Sequence, residues 1–253
     1  MFAAFIGTSF GQIVAPDPAE QKGILADATA YAFNYEQSLP NFLCIQTTRR
    51  FEDFTGRDVG HENWRPLDII VERLAYFEHH EDYKVLEING VPSSIEHSKL
   101  GGASSSGEFG SVLKGIFAPE TAADFNWQTE FMLRGSKMQV YAYRVQAAKS
   151  DYHVVVPEQS RELVAAYHGL IFVDNRKHSI HRITLHADGI PPAYPIQDVG
   201  LVLDYEYTRI GDADYLLPLN FELRSRQGNV RIKNEVDYDQ YRKFTADSSV
   251  TFK

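Results

Sequence analysis

Apolar positions spaced three to four residues apart mark the first element of the chain. Asp17, Pro18, Ala19 and Glu20 write a helix start: an acidic N-cap, proline at the first helical position and a glutamate that closes a capping box. Ile24, Ala28, Tyr31 and Tyr35 then form one apolar stripe, and the helix must end before Pro40. Beyond that proline the period falls to two. Cys44–Asp53, Leu67–Phe77 and Tyr83–Asn89 are rich in β-branched and aromatic residues and are parted by turn formers, among them Gly56, Gly60 and the pair Asn89-Gly90. They predict a meander of three strands.

From Val91 to Gly107 serine and glycine dominate, which predicts a mobile loop. Ser105 with Glu108 reads as a second capping box, and Phe109, Val112, Leu113 and Ile116 share one face of a short helix that leads to Pro119. A further short helix is expected over Pro119–Asp124. The rest predicts strands at Phe125–Leu133, Met138–Gln146, Tyr152–Val156, Glu162–Val173, Ser179–His186, Leu201–Ile210, Tyr215–Arg226 and Val230–Phe244.

The last hairpin can be registered. A two-residue turn at Gly228 and Asn229 sets Phe221 opposite Val236, Leu219 opposite Tyr238 and Ser225 opposite Ile232 on one face. On the other face Arg226 meets Arg231, Arg224 meets Lys233 and Glu222 meets Glu235. Diagonal contacts from Arg224 to Glu235 and from Lys233 to Glu222 would relieve part of the repulsion, leaving Arg226 and Arg231 as a basic tip. Ten or more strands exceed one flat sheet. The fold class is therefore mainly β (α+β), a strongly curved antiparallel sheet or incomplete barrel with helices on its concave side.

Composition narrows function. At 253 residues and 43% hydrophobic content the chain can bury a sizeable core, and residues 13–253 read as one β-rich domain. The net charge of -9 speaks against a general nucleic-acid binder. No run approaches the ~18 apolar residues of a spanning helix, so the protein is not expected to be integral to a membrane. Met1–Gln12 is apolar or small throughout and resembles the end of a secretory signal peptide, which points to a periplasmic or secreted protein over a cytoplasmic one. Cys44 is the single cysteine, so no internal disulfide forms; it reads as a core thiol.

Catalytic and metal motifs are weak. A nucleophile elbow around Ser105 lacks its first glycine, where Ala103 stands, and capping accounts for Ser105. His178 and His186 fall on one strand face and His181 on the other, and the neighbours His79 and His80 point apart, so neither set predicts a metal site. Glu52 with Asp53, and Asp212 with Asp214, sit at strand ends where turn chemistry explains them. Arg49 and Arg50 face opposite ways, so at most one of them reaches the concave side. No enzyme activity and no cofactor is expected. The strand aromatics Tyr141, Tyr143, Tyr167, Phe172, Tyr205 and Tyr207, with Phe109 and Leu113 of the covering helix, are the candidate lining of an apolar pocket.

The element order resembles that of the periplasmic lipoprotein carriers and of the related sensor that binds an anti-sigma factor. Tyr83-Lys84-Val85-Leu86-Glu87-Ile88-Asn89-Gly90 in the meander carries the likeness, as does His168-Gly169-Leu170-Ile171-Phe172-Val173-Asp174 followed by Ser179–Ile183. The resemblance implies an incomplete barrel plugged by helices that holds lipid-like groups in the periplasm. It does not carry over the family's functional arginine, and the wide Ser/Gly loop departs from the compact carriers. The expected partners are thus a lipid or acyl-group ligand or, alternatively, an envelope protein engaged through a sheet edge or through Arg226 and Arg231. A hydrolase is the third reading.

Overall fold

The computed structural model describes residues 15–57, 60–102, 108–156 and 159–244. The apolar Met1–Gln12 segment and Ser105 lie outside these described residues. Helix α1 (Pro18–Ser38) starts where its signals stand. The Asp17 carboxylate accepts a hydrogen bond from the Glu20 amide at 2.8 Å, and the missing amide of Pro18 leaves no donor unmet there. The helix buries Ile24, Ala28, Ala32 and Tyr35.

Thirteen strands and a second helix follow among the described residues: β1 (Phe42–Asp53), β2 (Arg65–Phe77), β3 (His80–Ile88), β4 (Val91–Pro92), α2 (Ser111–Phe117), β5 (Asp124–Leu133), β6 (Ser136–Val145), β7 (His153–Val156), β8 (Arg161–Val164), β9 (Ala166–Asp174), β10 (Ile180–Asp188), β11 (Asp198–Ile210), β12 (Ala213–Gln227) and β13 (Val230–Lys243). Eleven of them form one antiparallel sheet in the order β4, β3, β2, β1, β13, β12, β11, β10, β9, β6, β5, while β7 and β8 pair separately. Strand β1 pairs with β13, so the first meander joins the last hairpin. The end strands β4 and β5 do not meet. The result is a strongly curved, incomplete barrel.

Register makes the concave face continuous. Trp127, Tyr141, Ile171, Ile183, Leu203, Phe221 and Val236 stand opposite one another across seven successive strands. All belong to, or pack against, one core cluster that also takes in the buried faces of α1 and α2. Each large apolar side chain so buried contributes about 1.5–3 kcal/mol. Tyr35 ties α1 down, because its hydroxyl donates to the Leu216 carbonyl at 2.9 Å and its ring meets Tyr205 edge-on at 5.7 Å. Tyr205 in turn donates to the Glu108 carbonyl at 3.0 Å, which fixes the approach to α2.

The β12–β13 register is as expected, from Phe221 opposite Val236 to Arg226 opposite Arg231; its ladder stops at Asn220 opposite Asp237, short of Leu219. The charges pair along the strands, not diagonally. Arg224 Nε reaches Glu222 at 2.7 Å and Lys233 reaches Glu235, since side chains two apart lie on the same face.

Three further boundaries and one loop differ from expectation. Helix α2 begins at Ser111, not at Ser105, because Gly110 turns the chain at φ 138° against α1; a Cβ there would sit 2.2 Å from Glu36 Cγ. In place of the helix expected over Pro119–Asp124 the chain makes a turn closed by the Thr121 and Ala122 amides, with Ala122 at φ 44°, a conformation that ends any helix, and β5 begins at Asp124. The strand predicted over Glu162–Val173 breaks at buried Ala165, whose amide donates to the Tyr152 carbonyl at 3.0 Å. The chain leaves the main sheet there without a turn residue to mark it. The described part of the Ser/Gly loop is anchored: Arg50 Nη1 donates to the Gly101 carbonyl at 2.7 Å, and His97 Nδ1 meets buried Glu72 at 2.7 Å.

Candidate ligand-binding cavity

A cavity of about 790 Å³ opens on the concave side between the sheet, α2 and the β7–β8 hairpin. Its floor is the inward row of β10 to β13, with Leu185, Val199, Leu201, Leu223 and Ile232. Val154 and Val156 of the hairpin form the far wall, and Val112 and Gly115 of α2 the near one. The hairpin is held over the sheet by Tyr194, which donates to the Val154 carbonyl at 2.7 Å while Arg161 lies 4.9 Å above its ring. Gly115 keeps the helix wall open. The nearest side-chain atom to a Cβ placed there would be Asp151 Oδ1 at 3.6 Å.

Polar side chains share the lining with the apolar ones, Ser111, Tyr152 and His153 among them. Glu52, Asp151 and Gln227 border the space, and Ser225 interrupts the apolar inward row of β12. Ser225 is 6% exposed, and among the described residues its Oγ has no hydrogen-bond partner. A buried hydroxyl without a partner is costly to the fold, and because Ser225 borders the cavity, a rotation of its side chain would bring Oγ to a ligand or water atom. The same chemistry bears on Tyr141, whose buried hydroxyl also has no partner among the described residues. Burial first, and Glu20 second, push that phenol up to about 12.

Of the aromatic residues expected to line a pocket, Tyr167 does. Tyr141, Tyr205, Phe109 and Leu113 are packed in the core beneath the helices. Tyr143 crosses Gly169 and donates to the Thr184 carbonyl at 2.8 Å. Tyr207 is 37% exposed, with Lys177 Nζ 4.0 Å above its ring. Phe172 faces the other way and packs with Leu133, Met138 and Val140 in a separate cluster.

The remaining sequence candidates settle into local roles. Arg50 is the arginine on the concave side, where it binds both oxygens of Asp68 at 2.7 and 2.6 Å. Burial raises the Asp53 carboxyl, but hydrogen bonds from the Thr55 amide and hydroxyl outweigh it and hold the group below the usual carboxylate range. Arg226 and Arg231 donate to the Gly228 and Arg57 carbonyls, and Asp53 and Glu62 offset Arg231, so the tip is less basic than the strand pairing implied. Ser179 Oγ approaches His181 Nε2 at 3.2 Å, but both are buried, neither lines the cavity, and no carboxylate among the described residues hydrogen-bonds His181.

Among the cavity residues missed from sequence, Val154 and Val156 sit in the strand pair that leaves the main sheet. Ser225 was legible, since the hairpin register sets a hydroxyl on a core face between apolar residues.

No family model matches the chain, and no curated protein matches it. Among solved structures, a LolA superfamily protein of Nitrosomonas europaea is 10% identical over 92% of this chain and 97% of that one, with a TM-score of 0.38. An outer membrane lipoprotein-sorting protein domain of Vibrio parahaemolyticus is 8% identical, covers 89% and 94%, and scores 0.39. The chain weakly resembles the lipoprotein-sorting-like proteins. A chain of the Pseudomonas aeruginosa MucA/MucB complex lies further off, at 10% identity, 88% and 99% coverage and a TM-score of 0.26. Likeness at this level carries no function across. Among the described residues no helix is long and apolar enough to cross a membrane.

Proposed function

We propose that this is a non-enzymatic, extracytoplasmic binding protein that holds a lipid-like or other apolar ligand in the cavity beneath α2. The carrying observation is a cavity of about 790 Å³ with an aliphatic floor and polar side chains among its walls, a size that suits a small-molecule site. Glu52 and Asp151 in the lining favour an uncharged or cationic head group over a carboxylate. The apolar Met1–Gln12 segment supports the extracytoplasmic setting. Mass spectrometry of organic extracts of the protein, purified from a native-like host, tests the reading. A recurrent amphiphile absent from a mock purification supports it; a protein that neither carries nor takes up any lipid contradicts it.

A second reading is an envelope protein-interaction module. Edge strand β5 supports it, because it exposes Phe131 (44%) and Met132 (62%) beside a ladder left unpaired among the described residues, a surface open to strand addition. Envelope pull-downs with Met132→Lys and Phe131→Glu separate the two readings: a lost partner with lipid binding intact favours the second.

A further inference from the structure

The outer face of the sheet carries an arrangement independent of the cavity. His168 of β9 and His186 of β10 stand directly opposite each other, and Asp188 lies two residues beyond His186 on the same face. Reading histidines strand by strand misses this convergence, which only the β9–β10 register produces. One ligand atom from each of the three residues falls within 4.8 Å of the others.

The hydrogen bonds already sort the ring nitrogens. Asp198 Oδ1 holds His186 Nε2 at 2.8 Å, which leaves His186 Nδ1 turned toward Asp188, 3.9 Å from its Oδ1. His168 Nδ1 meets the other Asp188 oxygen at 2.8 Å. A carboxylate fixing one imidazole nitrogen while the other is presented is the usual outer support of a metal-bound histidine. Space is provided too. Gly200 stands opposite His186 on β11, and a Cβ there would already contact the ring at 3.6 Å.

The sheet opens beside the cluster. Thr184 supplies its hydroxyl to the Leu170 amide and its carbonyl to Tyr143, so strand pairing loosens and a groove of about 670 Å³ forms along His168 and His186. Among the described residues Arg144, opposite His168 on β6, is the one arginine or lysine bordering this groove, and Asp124 stands opposite Arg144 in register.

We propose that His168 Nδ1, His186 Nδ1 and the Asp188 carboxylate bind a divalent transition-metal ion of the zinc type, with Asp198 as the supporting carboxylate and the fourth position open to the groove. Two imidazoles and a carboxylate suit zinc, nickel or copper, not magnesium or calcium, which take all-oxygen sets. A tetrahedral ion with bonds of ~2.0–2.1 Å sets its donors about 3.4 Å apart. The side chains are 31–49% exposed, so small rotamer changes close the difference from 4.8 Å. On binding, the ion replaces the hydrogen shared by His168 and Asp188.

The test is titration of the full chain with Zn²⁺ against a chromophoric chelator, with Mg²⁺ as the comparison ion and Co²⁺ absorption as a second readout. One equivalent of Zn²⁺ is expected, with tetrahedral Co²⁺ bands. His168→Ala or His186→Ala should weaken binding at least about 100-fold and remove the bands, and Asp198→Asn should weaken it about 10–100-fold. His153→Ala is the control, since His153 pairs with Glu162 on the separate hairpin; it should change nothing. Circular dichroism checks that each variant is folded. Absence of micromolar Zn²⁺ binding overturns the proposal, as does undiminished binding in His186→Ala, or an equal loss in His153→Ala.

Discussion

Ser225→Ala should make the protein more stable and a poorer binder. The Ser225 hydroxyl is buried at 6% exposure and unpartnered among the described residues. Leaving such a group unsatisfied costs about 1–3 kcal/mol. Because Ser225 borders a cavity of about 790 Å³, a small rotation of its side chain would let water reach Oγ, and the lower end of that range applies. The expected gain on removing it is thus about 1 kcal/mol, or ~2–4 °C in Tm for a chain of this size. Tyr141→Phe supplies the comparison. Its hydroxyl is sealed in the core, so its removal should gain at least as much. Urea unfolding measures both. The neutral probe N-phenylnaphthylamine, followed by fluorescence, measures the binding side. A hydrogen bond from ligand to Ser225 contributes about 0.5–1.5 kcal/mol, so Ser225→Ala should raise Kd about 2–10-fold while Tyr141→Phe leaves it alone. A loss of more than about 1 kcal/mol in Ser225→Ala would refute the reasoning, because the hydroxyl would then have a partner in the fold.

Three other outcomes are expected. Gly169→Ala puts a Cβ 1.8 Å from the Thr184 carbonyl oxygen, a backbone atom that cannot swing aside, and should cost at least about 3 kcal/mol in denaturant melts. Asp204→Asn strips the carboxylate that binds Arg182 at 2.7 and 2.8 Å and Arg134 at 3.2 Å; with both arginines partly exposed, the loss should be about 2–3 kcal/mol, read by the same melts. Burial, only partly countered by Asp174 and Glu206, holds His181 below the usual histidine range. The unfolded chain therefore takes up that proton more readily, and stability falls as pH drops through about 6.5; His181→Gln should flatten the dependence between pH 7.5 and 5.

The architecture was legible wherever local chemistry was strong. Asp17-Pro18 set the start of α1, and Gly228-Asn229 fixed a hairpin whose register runs through eight residue pairs. What sequence could not supply was the partner of a surface. The strand aromatics had no marker for which would pack under a helix and which would line a space, so Tyr141 and Tyr205 read the same as Tyr167. Phe172 went to the opposite face because parity along β9 alternates with Ile171 and Val173, a distinction that an apolar run hides. The β7–β8 hairpin escaped for a similar reason. Nothing but small Ala165 separates β8 from β9, so the wall of the cavity read as part of a longer strand. The His168–His186 pair needed a register across a turn where His178 takes φ 54°.

Whether the cavity is a binding site is tested most directly by titrating N-phenylnaphthylamine into the wild-type protein and into Gly115→Trp. The tryptophan projects from α2 into the space beside Asp151 and Tyr167, whose side-chain oxygens, at 3.6–4.0 Å, are the nearest atoms to the new Cβ outside its own helix. Saturable uptake of one probe per chain, displaced by a long-chain lipid and abolished in a folded Gly115→Trp, is the predicted result. Equal uptake by both proteins, or none by the wild type, would contradict it.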